Sequence, residues 1–194
     1  MSPKDALICV DVQNDFCPGG ALAVPNGDQA ALVLTEYIEQ FEAAGAMIVA
    51  TRDWHPPNHC SFESQGGPWP QHCVRDTDGA GFHEALRLPK HTELISKGIE
   101  PGDEAGSGFQ GTNLAQKLHE RKIERVFIGG LATDYGVKAT VLDAIKEDFQ
   151  TFVLSEACQG INIDSNEIEK AIKEMRQAGA KIATLADLPA RGPA

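Results

Sequence analysis

No two cysteines are spaced as a CxxC pair, and the five cysteines of this 194-residue chain are scattered between positions 9 and 158. An odd, dispersed set excludes a disulfide framework and points to reduced thiols, as in a cytoplasmic protein. No run of about 18 apolar residues occurs. No basic segment followed by an apolar one opens the chain, so neither membrane spanning nor export is expected. Lysine and arginine number 17 against 28 acidic residues, giving a net charge of -11. No local basic cluster offsets that balance, which excludes a sequence-independent grip on nucleic acid and bears mainly on solubility. Internal repeats and low-complexity segments are also missing.

What is present is enough apolar residue, 42%, for a sizeable core, and a length that suits one domain over 1–194. Short apolar runs recur along it: Ala6 to Val10, Met47 to Ala50, Glu93 to Ser96, Arg125 to Ile128, Thr151 to Leu154 and Lys181 to Thr184. Such runs read as strands buried on both faces. Helical periodicity lies between them. Leu34, Ile38 and Phe41 share one face before Gly45; Leu114 and Leu118 mark a shorter helix; Val137, Val141, Ala144 and Ile145 share another face. Ile168, Ala171, Ile172 and Met175 follow, with Asp164 and Glu167 as a capping box and Gly179 as the stop. The alternation predicts an α/β fold, a parallel sheet covered by helices on both faces, with ligands at the carboxyl ends of the strands. Residues 53–92 break this rhythm, and a long aperiodic stretch inside a compact domain is usually functional. The tail after Asp187 is expected to fray.

Within 53–92, Asp53, His55 and His59 precede His72. Asp53 falls just beyond a predicted strand, and Pro56 and Pro57 forbid a regular helix, so the two nearer histidines must converge through a turn. One carboxylate and three imidazoles suit Zn²⁺, Fe²⁺ or Mn²⁺ with positions left open. Cys60 and Cys73 each neighbour a histidine but are poorly placed to share the same ion. Accidental clustering of surface histidines is the plainer alternative.

Asp11 at the end of the first strand and Lys97 at the end of the Leu94–Ser96 run face the same edge. They form either an acid–base couple or an ordinary ion pair. The segment Gly129 to Val137 ends a strand and opens a helix, the geometry of a nucleophile elbow, where the first helical N–H groups make an oxyanion hole. A thiol there would have a lowered pKa. The position that should carry it, 136, is glycine, a residue that costs roughly 1 kcal/mol inside a helix.

These segments together resemble nicotinamidases/pyrazinamidases of the isochorismatase-like cysteine hydrolases. The match lies in Asp11-Val-Gln-Asn-Asp-Phe16-Cys-Pro-Gly-Gly, in Thr51-Arg-Asp53-Trp-His55-Pro with His59-Cys-Ser-Phe, in Trp69-Pro-Gln-His72-Cys, in Lys97-Gly98, and in Gly130-Leu-Ala-Thr-Asp-Tyr135. It covers about residues 5–185 in order. The resemblance implies a six-stranded parallel sheet and hydrolysis of nicotinamide, or of pyrazinamide, to the acid and ammonia, a step of NAD salvage. It makes Asp11 the general base and Lys97 its partner. It makes Asp53, His55, His59 and His72 ligands of one divalent metal that receives the pyridine nitrogen. Phe16, Trp69 and Tyr135 would line the substrate site. The N–H groups of Ala132 and Gly136 would form the oxyanion hole, with a cis peptide before Ala132. A homo-oligomer is compatible with this fold. Gly136 departs from the pattern by standing where the family has its nucleophilic cysteine, so the chain is expected to bind substrate and be essentially inactive, whether by an introduced change or by natural loss. A nicotinamide-binding protein without chemistry, and hydrolysis by metal-activated water, remain as alternatives.

Overall fold

The computed structural model describes residues 1–104, 106–162 and 166–188. Six strands form one parallel sheet: β1 (Asp5–Val10), β2 (Met47–Asp53), β3 (Glu93–Lys97), β4 (Arg125–Leu131), β5 (Gln150–Gln159) and β6 (Lys181–Ala183). Their order across the sheet is β3-β2-β1-β4-β5-β6. The chain therefore builds outward from β1 in one direction and, after β3, crosses to build outward in the other. The crevice where that reversal occurs, between β1 and β4, is where ligands bind in such sheets.

The strands are apolar because both faces are covered. In β1, Leu7 and Cys9 point into one core with α1 (Gly27–Ala43), while Ala6, Ile8 and Val10 point into the other with α2 (Leu114–Glu120) and α3 (Lys138–Lys146). The first core is centred on Leu34, Ile38 and Phe41 of α1 against Phe127 of β4, the two rings edge to face at 5.0 Å. The second gathers Leu114, Leu118, Val141 and Met175, the last from α4 (Glu167–Ala178). The expected helix stops hold: Gly45 follows α1 and Gly179 follows α4, both at positive φ. Asp164 of the expected capping box lies outside the described residues, as does the tail from 189 onward. At the start of α4, Asn162 Oδ1 accepts the Glu167 N–H at 3.0 Å.

β5 is longer than the apolar run Thr151 to Leu154 suggested. Its pairing with β4 jumps from Ile128↔Val153 to Gly130↔Cys158, so Cys158 lies within the strand. Opposite, Gly130 takes φ +132°, and a Cβ built on it would sit 2.1 Å from the Val10 carbonyl oxygen. Only glycine allows β4 to approach β1 so closely there.

The connection from β2 to β3 is not structureless. Isolated bridges tie His55 to Val74, Phe62 to Trp69, and Gln13 to Phe82. No helix among the described residues is long and apolar enough to cross a membrane.

At the opposite end of the sheet, Asp5 and Arg125 begin paired strands. The guanidinium donates two 2.7 Å hydrogen bonds to the carboxylate. Burial acts to raise the Asp5 pKa, but the Arg125 hydrogen bond and charge, with Ser2, carry it below the ordinary 3.8. A depressed carboxylate stabilises the fold above its unfolded pKa and loses that contribution as pH falls through its folded one. Asp5→Asn is expected to cost about 2 kcal/mol at neutral pH and progressively less as pH falls below the unfolded value of 3.8, measured as urea unfolding midpoints across that range.

Candidate active site

Strand register alone brings the charged residues together. Asp53 and Lys97 are direct partners at the ends of β2 and β3, and Val10 pairs with Thr51, which places Asp11 next along the same edge. Asp11 turns the chain with φ +51°. Its Oδ1 accepts the Thr51 hydroxyl at 2.7 Å, and the Lys97 Nζ lies 2.8 Å from its Oδ2. The same ammonium reaches Asp53 Oδ1 at 2.5 Å. Lys97 thus serves two carboxylates, where the sequence had suggested one. All three are buried.

The two acids differ. Burial tends to raise both. At Asp53 the Lys97 charge and His55 outweigh it, and the carboxyl is held far below the usual range. At Asp11 burial prevails over Lys97, with the Asp53 charge adding to it, and the pKa is raised. Lys97 itself is pushed up: burial opposes its charge, but the two carboxylates overcome the penalty. One carboxylate is therefore kept anionic, while its neighbour holds a proton more readily.

Asp53 also faces the histidines. His55 Nδ1 donates to the Gly98 carbonyl at 3.0 Å, and His72 Nδ1 donates to the Pro70 carbonyl at 2.8 Å. A carbonyl can only accept, so both rings carry a proton on Nδ1, and Nε2 is the nitrogen turned toward Asp53. Those Nε2 atoms lie 3.4 and 3.9 Å from Asp53 Oδ2. Asp53, His55 and His72 place one donor atom each within 4.8 Å of one another, and all three are buried. A carboxylate and two imidazoles with their tautomers fixed from behind fit a borderline divalent cation.

His59 stands beside this set. Its ring stacks on His55 at 3.8 Å. Its Nε2–H donates to the Asp103 carbonyl at 2.9 Å, and its Nδ1 accepts the Ser61 hydroxyl at 2.8 Å. Either bond must be exchanged before His59 can take a cation.

Several positioning residues were not foreseen. The Gln13 amide grips the Asp53 backbone at both ends, donating to its carbonyl and accepting its N–H, each at 2.8 Å. Asp15 accepts the Cys73 N–H at 2.7 Å beside His72. Asp134 accepts the N–H groups of Ile161 and Asn162, fastening the segment after β5 to the turn after β4. The available signal for Gln13 was a polar side chain two residues beyond a strand-end acid, in a stretch otherwise destined for burial.

That turn is a five-residue π-helical segment, Thr133–Val137, which continues into α3. The Leu131–Ala132 peptide is cis, as the resemblance implied. Position 136 faces the charged residues: an ideal Cβ there would lie 3.0 Å from Asp11 Oδ2, 3.0 Å from the Leu131 carbonyl oxygen and 3.4 Å from Val10 Cγ1. A cavity of about 680 Å³ joins Gly136, Asp11 and Lys97 to the Asp53–His55–His72 set. Phe16, Trp69 and Tyr135 line it. Phe16 lies 5.5 Å from the His72 ring, and Trp69 meets Tyr135 edge to face at 5.5 Å.

The isochorismatase domain model matches residues 5–187. The chain belongs to the isochorismatase family. Among family relatives it is similar to the nicotinamidase of Escherichia coli strain K12, 39% identical over 95% of this chain and 97% of that protein. The crystal structure of pyrazinamidase of Pyrococcus horikoshii in complex with zinc superimposes with a TM-score of 0.91 at 50% identity, covering 94% of this chain and all of that one. A protein from L. infantum in complex with nicotinate gives 0.91 at 34% identity, over 98% of each chain. The six-stranded parallel sheet is thus the isochorismatase-like hydrolase fold.

Lys97 is what makes two acids tolerable in one family site. Removing one partner of a buried charge cluster costs about 3–5 kcal/mol, and Lys97→Met is expected to show a loss of that order in urea. The sign follows from the shifts. The depressed Asp53 contributes above 3.8, and the raised Lys97 contributes below 10.5, its gain lost as pH climbs through its folded pKa. The deficit of the variant should therefore span the range between them and shrink toward acid.

Proposed function

We propose that this cavity is a nicotinamidase-type amidase site, and that the chain as it stands holds a pyridine carboxamide with almost no turnover. The observation that carries the reading is the aim of position 136: its Cβ direction meets Asp11 Oδ2 at 3.0 Å, inside the cavity shared with the histidines. A side chain at 136 would stand against an acid whose raised pKa suits it to take a proton. The nicotinamidases and pyrazinamidase among the relatives support the substrate class.

Asp53, His55 and His72 would hold a divalent cation, zinc, iron or manganese, with His59 joining as the fourth ligand by releasing Asp103. Bound there, the cation would supply a Lewis-acid anchor for a ring nitrogen. Phe16 and Trp69 flank the ring, and Tyr135 closes the wall beside Trp69. Asp11 is the general base, and Lys97 fixes its orientation and charge. The backbone N–H groups of Ala132 and Gly136 receive the developing oxyanion. The chain works in the cytoplasm, where its five thiols, all free, stay reduced.

Four of the five cysteines are ill-suited to take the nucleophile's place, and Cys60, at the cavity wall, turns its sulfur to the Asp103 carbonyl 3.6 Å away. Burial pushes Cys9 and Cys158 up to about 12 and Cys17 up to about 11, and raises Cys73 well above the ordinary thiol. Loss of a covalent nucleophile costs on the order of 10⁶ in rate. Gly136→Cys is expected to recover nicotinamide hydrolysis by several orders of magnitude, with nicotinate and ammonia formed in equal amounts. A Gly136→Cys protein that retains metal and leaves nicotinamide intact overturns the amidase reading in favour of a binding protein without chemistry. Zinc is expected to raise the melting temperature of the chelator-treated chain, and His72→Ala to remove most of that rise.

A further inference from the structure

The ladder between β1 and β2 ends at Val10↔Thr51, where Asp11 turns the chain at φ +51°. Asp53, two residues further along β2, keeps β3 on one side, with Lys97 as its partner. On the other side its N–H and carbonyl meet no strand. The Gln13 carboxamide takes that place, accepting the one and donating to the other at 2.8 Å each. Gln13 is buried, and its Nε2 donates a further 2.9 Å bond to the Ala80 carbonyl.

The next two residues meet the same short turn, Asp78–Ala80. Asn14 Nδ2 donates to the Asp78 carbonyl at 2.7 Å. The Asp15 carboxylate fills the space beside Gly79, where an ideal Cβ would lie 2.2 Å from its Oδ2. That approach requires glycine. The same Oδ2 accepts the N–H of Cys73, the neighbour of His72, at 2.7 Å. The turn therefore backs Asp53 through Gln13 and the His72–Cys73 step through Asp15.

Resting on the cation site of the proposed function, we infer that the Asp78–Ala80 turn is a brace that positions two of the cation's ligands at once. Cation affinity then depends on residues 13, 15 and 79, which act through Asp53 and His72 and are positioning residues. A methyl group at 79 would displace the Asp15 carboxylate and release the Cys73 N–H. Groups that hold a ligand from behind are worth about 10–100-fold in metal affinity.

The test is calorimetric titration of the chelator-treated chain with zinc. Gly79→Ala and Gln13→Met are each expected to weaken binding about tenfold or more. In an Asp15→Ala background, where no carboxylate stands in the way, Gly79→Ala should add little. Asp5→Asn, which loses hydrogen bonds at the far end of the sheet, should leave zinc binding unchanged. With Co²⁺ at saturation, the visible absorption bands of the Gln13→Met chain should differ from those of the parent, a change that lost stability alone does not produce. If Gln13→Met fails to fold, Gln13→Glu replaces it, since it keeps the acceptor for the Asp53 N–H and loses the donor to both carbonyls. Gly79→Ala and Gln13 variants that bind zinc like the parent, or an Asp5→Asn chain weakened as much as they are, overturn the brace and leave the cation site standing. A parent chain that takes up no zinc removes the cation site and the brace together.

Discussion

A single ammonium group holds this site together. Two carboxylates at the ends of neighbouring strands would repel one another and resist burial, and Lys97 lets both sit out of water by touching each. Its influence is unequal, because Asp53 has the histidines as additional partners, whereas Asp11 adds the Thr51 hydroxyl. From that asymmetry come two acids of opposite character a few ångströms apart, one suited to hold a cation and the other to carry a proton. The arrangement costs no special loop, since parallel pairing sets Asp53 and Lys97 side by side and leaves Asp11 one step further along.

Much of this was legible in the sequence because it follows from the two-residue alternation of strands and from where strands stop. Apolar runs marked all six strands, and Asp11, Asp53 and Lys97 each follow or close one, so the shared edge could be anticipated. What escaped has a common physical character: it depends on which partner a flexible polar group chooses. His59 lies in the expected turn, yet its nitrogens are taken by Ser61 and Asp103. Gln13 behaves like an extra strand segment by pairing with the Asp53 backbone, which its amide chemistry permits and no periodicity reveals. The irregular end of β5 was hidden for a related reason, since its register with β4 shifts where the apolar pattern gives out.

The sequence between 53 and 92 showed no periodicity because its order is made of isolated backbone bridges rather than repeating elements. His55 exchanges backbone bonds with the Cys73–Arg75 strip, and Ser61 and Glu63 do the same with Trp69. These two bridges anchor His55 and Trp69, which line the cavity. The half-buried carboxylate of Asp15 ties this stretch down by accepting the N–H of Cys73, a residue at φ +45°. A rigid wall is thus assembled from chain that carries no helix longer than one turn.

The glycine at 130 gives the cleft its width. Because β4 can press against the Val10 carbonyl only where no side chain intervenes, the separation between the first strand's terminal acid and the π-turn is a dimension of the sheet itself. The residues facing the cavity are then free to vary in what they recognise, whereas the gap across which any reacting pair must meet is inherited from backbone contact beneath them. Chemistry and selectivity in this scaffold are therefore set by separate layers of the molecule.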